Sequence, residues 1–203
     1  MLATLSVYDL KKALAGAALM CAVMQPASVH ARSFMDLAGR TTQPVGHYEF
    51  CRQSPHECRS IRAAQPHALN RDDWQAMVTI NNQINSAVLP RTDMQIWGRE
   101  ELWSYPTTVG DCEDFVLLKR HMLIERGFSP ANLLITVVRQ RNGEGHAVLT
   151  VRTDHGEFIL DNLTSEIKAW EDTSYTYLKR QSSRHAGRWI TINDHRMSVA
   201  SVQ

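Results

Sequence analysis

Between Cys112 and Arg126 almost every helical face is apolar. Phe115, Leu118 and Met122 form one stripe, and Val116, Leu117, Leu123 and Ile124 fill the others. A helix apolar on all sides must be buried against several elements at once. The pattern starts it at Cys112, with Asp111 as N-cap, Asp114 where a capping-box acid would reach back, and Gly127 as the C-terminal stop. A cysteine therefore opens the central helix, inside the acidic run Gly110-Asp111-Cys112-Glu113-Asp114-Phe115.

The other elements arrange themselves around this helix. Trp74, Met77, Ile80, Ile84 and Val88 recur at spacings of three and four, which predicts a helix capped by Asn70 or Asp72 and ended by Pro90. The aromatic, polar stretch Thr92–Pro106 reads as a structured loop, and residues 32–68 as an extended, loop-rich segment with no clear period. Strands follow at Leu133–Arg139, His146–Arg152, Glu157–Leu160 and Trp189–Ile192, with Asp154-His155-Gly156 as a turn and Ser165–Trp170 as a loop or helical turn. Two helices followed by an antiparallel sheet make an α+β plan.

The 203 residues carry a formal net charge of +1 and no Lys/Arg block, so nothing marks a nucleic-acid partner. Lys11 and Lys12 precede an apolar run from Ala13 to Met24, Pro26 breaks it, and Val29-His30-Ala31 supplies small residues at a cleavage site. These are the parts of a secretory signal. Residues 1–31 are expected to leave as a signal peptide. Residues 32–203 then form one exported domain, periplasmic or secreted, with no membrane span after signal removal. Cys21 leaves with the signal. The close pair Cys51 and Cys58 then suits a local disulfide, and Cys112 a free thiol. Two unpaired thiols are the alternative for that pair. A zinc site lacks a second ligand pair.

A cysteine attacks as its thiolate, and a helix N-terminus and an imidazolium both favour that form. Asp111 and Glu113 oppose it by charge, so they must point away from the sulfur or be neutralised by a cation. A turn centred on Asp154-His155 pairs Arg152 with Glu157 and sets Val148 opposite Asp161. His146 is then a diagonal neighbour of Asp161 on one face, where the acid can orient the imidazole. Ala147, Leu149 and Val151 form the core-facing set of the same strand. Taken singly, each residue has a plainer reading. Cys112 could be a buried hydrophobe, His146 a structural histidine and Asp161 a turn cap.

The GDCEDF helix start, the GHAVL strand and the FILDNL strand together resemble the bacterial transglutaminase-like cysteine proteinases, which include the LapG-type periplasmic proteases. INNQIN, WGREELWSYP, YLKRQS and GRWITI extend the resemblance over most of residues 45–192. It implies a papain-like or transglutaminase-like fold, with the nucleophile at the N-terminus of a buried helix on an antiparallel sheet. It also implies a triad of Cys112, His146 and Asp161, calcium bound at Asp111 and Glu113, and no organic cofactor. LapG-type members clip large cell-surface adhesins and are restrained by an inner-membrane receptor that senses cyclic-di-GMP. A protein substrate and such a receptor are therefore the expected partners. Residues 32–68 have no match to the adhesin-cleaving members. Acyl transfer to an amine, or a non-catalytic binding protein on the same fold, are the competing functions.

Overall fold

A computed structural model describes residues 34–196, so the expected signal peptide lies outside the described residues. In chain order the elements are β1 (Leu37–Thr41), α1 (Val45–Gln53), α2 (Arg71–Ala87), β2 (Leu89–Pro90), α3 (Asp93–Trp97), β3 (Val109–Gly110), α4 (Cys112–Glu125), β4 (Leu133–Arg139), β5 (Gly145–Thr153), β6 (Gly156–Leu160), β7 (Lys168–Ala169), β8 (Thr176–Ser182) and β9 (His185–Ile192). The main sheet runs β1-β9-β8-β4-β5-β6-β7. All of its pairs are antiparallel.

The all-apolar helix is α4, and it packs against both β5 and α2. Gly127, at φ 94°, takes the left-handed conformation that ends it. Asn70 caps α2 by accepting the Asp73 N–H at 2.9 Å. Phe115 and Leu123 of α4, Met77 and Ile84 of α2, and Leu149 and Val151 of β5 share one buried cluster. Each such side chain contributes about 1.5–3 kcal/mol by leaving water. Truncating one, as in Leu123→Ala, costs about 2–5 kcal/mol because the site refills only partly.

The opposite sheet face buries Val138, Val148, Ile159, Tyr177 and Ile192 under Met35 and Trp170. Glu157 lies fully buried among them. Arg180 meets it at 2.6 Å and Arg152 at 3.4 Å, and it accepts the Met35 N–H at 2.8 Å. A buried carboxylate needs this full set of partners.

Four regions depart from the sequence reading. Residues 32–68 were expected to be extended, yet β1 and α1 lie there. The loop Thr92–Pro106 contains α3, started by a capping box between Thr92 and Gln95. Ser165–Trp170 includes the short strand β7, and a 3-10 turn follows from Trp170 to Asp172. The strand β8 had no counterpart among the expected elements.

Candidate active site

The β5–β6 hairpin has the expected register, with Arg152 facing Glu157 and Leu149 facing Leu160. Continuing it past Leu160 sets Asp161 beside the His146 face of β5. His146 Nε2 lies 2.8 Å from Asp161 Oδ1, with both side chains buried. An ionised carboxylate only accepts, so Nε2 carries the proton and Nδ1 stays free for a second partner. Burial pushes the Asp161 carboxyl up, but bonds from His146, the Leu163 N–H and the Tyr175 hydroxyl outweigh it and hold it below its usual value. The backbone is fixed as well. Asn85 Nδ2 donates to the Asp161 carbonyl at 2.8 Å and to that of Thr164 at 3.1 Å.

Cys112 is the first residue of α4 and a free thiol. It shares a cleft of about 480 Å³ with His146, between apolar walls from Val45, Trp103, Val137 and Ala147. Glu101 and Lys179 add opposite charges to the rim. The Cys112 thiol donates to Glu113 Oε2 at 2.9 Å. Burial, then the Glu113 charge, push the thiol well up, while the Ala147 N–H on the sulfur pulls the other way. Gly110 makes room for the turn before it. A Cβ there would sit 2.9 Å from the Asp114 carboxylate and 3.0 Å from Pro106.

The sequence grouped Asp111 with Glu113. The structure gathers Asp93, Asp111 and Asp114, each offering an oxygen within 4.8 Å of the others. Glu113 turns to the thiol, although its charge still acts on all three. Asp111 occupies the N-cap position of α4 without a capping side-chain bond. Asp114 accepts the Ser104 N–H at 2.7 Å, and Asp93 accepts that of Leu102. Asp93 Oδ1 and Asp111 Oδ1 are buried and find no donor. Burial, and then Glu113, push Asp111 up to about 9. Burial pushes Asp114 up to about 7. Hard oxygen donors with two orphaned atoms and mutual repulsion suit a divalent cation such as calcium. Asp114 was read only as a capping acid, and Asp93 was missed. No local pattern marks Asp93, because the carboxylates it joins, Asp111 and Asp114, lie 18 and 21 residues away.

Cys51 and Cys58 form a disulfide between α1 and the 3-10 turn Pro55–Cys58, as expected. His47 lies buried near both sulfurs, and burial pushes its pKa down to about 3.

The family model of the bacterial transglutaminase-like cysteine proteinases (BTLCP) matches residues 37–197. A comparison with curated proteins returns no match. Among solved structures, Legionella pneumophila LapG is 25% identical over 62% of this chain and 73% of its own, with a TM-score of 0.50. An EGTA-treated form of that protein is 22% identical over 61% of this chain and 68% of its own, at a TM-score of 0.50. A calcium-bound form is 26% identical over 53% of this chain, at a TM-score of 0.47. The chain spans 64% of that last structure's length. The arrangement of buried helix and antiparallel sheet is thus a transglutaminase-like α+β fold.

Proposed function

The chain belongs to the bacterial transglutaminase-like cysteine proteinases, and from that membership we propose that it is an exported peptidase working through Cys112, His146 and Asp161. The observation that carries this reading is the buried His146–Asp161 pair at 2.8 Å, whose His146 lines one cleft with a free cysteine at a helix N-terminus. Nδ1 of His146 takes the thiol proton as the sulfur attacks a peptide carbonyl. The tetrahedral oxyanion is met by the outward N–H of Cys112, one of the unpaired donors of the first helical turn. His146 then returns the proton to the leaving amine as the C–N bond breaks. Water, deprotonated by His146, attacks the thioester, and the sulfur departs with its electron pair.

Asp93, Asp111 and Asp114 would hold calcium, with Glu113 at its edge. The bound ion would supply the positive charge that lets these acids stay ionised beside a thiolate. The fit of the donor set supports this part of the reading.

Export rests on the signal-like residues 1–31. Among the described residues, no helix is long and apolar enough to cross a membrane. A cell-surface substrate and an inner-membrane receptor as regulator are the partners supported by the family resemblance. An extracellular proteome comparison between wild-type cells and cells carrying Cys112→Ala tests the function. A protein that stays full-length only in the variant is the expected result. Identical fragment patterns in both strains would count against a peptidase role.

A further inference from the structure

The Asp161 carboxylate is held on both oxygens. Oδ1 accepts from His146 Nε2 at 2.8 Å and from the Leu163 N–H at 3.0 Å. Oδ2 accepts from the Tyr175 hydroxyl at 2.5 Å. The Tyr175 ring also lies against the imidazole, with centroids 5.6 Å apart. One side chain therefore touches both the orienting acid and the base.

Tyr175 is itself braced. It ends an irregular segment that runs from the 3-10 turn at Trp170 to the start of β8. Arg196, the last of the described residues, lies against this segment. Its Nη2 donates to the Tyr175 carbonyl at 2.6 Å, and its Nη1 donates to the carbonyls of Trp170, Glu171 and Thr173 at 2.9–3.2 Å. Asp194 holds the guanidinium at 2.7 and 2.8 Å, and the Trp170 ring lies 4.7 Å beneath it. A planar guanidinium is suited to this work, because its donors form a fixed fork.

We propose that Tyr175, braced by Arg196, is a positioning residue that fixes the Asp161 carboxylate and through it the His146 ring. This inference rests on the triad reading above. The terminal torsion of a carboxylate is broad. With Oδ1 alone bonded, the group swings and the Nε2–H bond lengthens and bends. The hydroxyl on Oδ2 removes that freedom, and it stabilises the anion through a charge-assisted bond inside a buried site. Tyr175 acts through Asp161 rather than on substrate.

Tyr175→Phe keeps the ring and removes one donor, so the fold should survive. The test uses iodoacetamide as the thiol probe on calcium-loaded protein, together with nitrogen NMR of the His146 ring and thermal unfolding. The expected result is a drop of about 10-fold in Cys112 alkylation, the size of one lost charged hydrogen bond transmitted in part. The Nε2–H resonance of His146 should be lost to solvent exchange, with unfolding still cooperative and its temperature lowered by about 3–10 °C. Arg196→Gln, which leaves the hydroxyl in place, should give a smaller loss of the same sign. Wild-type alkylation and a retained ring N–H in Tyr175→Phe would overturn the proposal. Should wild-type Cys112 react no faster than Cys112 in a His146→Ala protein, the triad reading itself fails and takes this proposal with it.

Discussion

His146 and Asp161 are diagonal neighbours on one face of the β5–β6 hairpin, and their side chains close that diagonal to 2.8 Å. The pairing of Leu149 with Leu160 sets the offset. A one-residue slip of one strand against the other would leave the two side chains on opposite faces of the sheet. Orientation by a strand register is rigid, which suits a base that must hold one tautomer.

From this pair follows a graded mutational series. Cys112→Ala and His146→Ala should each abolish turnover, because nucleophile and base act as a unit. Asp161→Asn keeps the shape but leaves the tautomer unfixed, and should reduce turnover by about 100–10,000-fold while leaving a measurable residue. Unfolding temperatures measured alongside separate lost chemistry from lost structure. Wild-type turnover by Cys112→Ala on a confirmed substrate would remove the mechanism.

Calcium should stabilise the fold as well as activate it. A ligand at 100 times its dissociation constant adds about 2.7 kcal/mol. For a domain of this size that raises the unfolding temperature by about 5–10 °C. Asp111→Asn should reverse the sign. It removes the cost of protonating a buried acid that titrates near 9 in chelated protein, and so stabilises it near neutral pH, but it forfeits the calcium-induced gain. Magnesium should substitute poorly, since it demands a tighter octahedral shell. Calorimetry that finds equal calcium heats in wild type and Asp111→Asn would place the ion elsewhere.

The Cys51–Cys58 bridge closes a short loop, for which the chain-entropy model gives about 2–3 kcal/mol. Reduction should lower the denaturation midpoint by a matching amount, and peptide mapping should find Cys112 unbridged. A midpoint that does not move on reduction would show that α1 is held by packing alone.

The central helix and the hairpin were readable because their signals are local. An all-round apolar run says burial, and a D-H-G turn fixes a register. The missed elements bury residues that do not look buried. The inner face of α1 is Gly46, His47 and Phe50, after a Pro44 that offers no side-chain cap. In β8 the buried side chains are Tyr177, Arg180 and Gln181, and Arg180 is inside only because Glu157 meets it. The strand β1 lies mostly exposed at the sheet edge, so no alternation marks it. The site divides in the same way. Cys112, His146 and Asp161 sit in recognisable motifs, whereas Asp93 and Tyr175 reach the site only through tertiary folding.

Lys119 provides a test of the core beneath the site. It is fully buried on α4, and its Nζ has no hydrogen-bond partner. Burial pushes its pKa down to about 7, against a smaller upward pull from Asp161. The unfolded chain, with an ordinary lysine near 10.4, therefore binds more protons than the folded one between about 7 and 10.4. Stability contributed by this site must rise with pH across that window and be flat on either side. Below pH 7 the folded protein carries a buried, unmatched ammonium. Lys119→Met removes the charge at similar volume, and should stabilise the protein by about 1–4 kcal/mol near pH 6. The gain should shrink steadily as the pH approaches 10. Denaturant titrations of both proteins at pH 6, 8 and 10 measure it. A gain that stays constant with pH would mean that Lys119 keeps an ordinary pKa in the fold, with its charge solvated by water that enters the core.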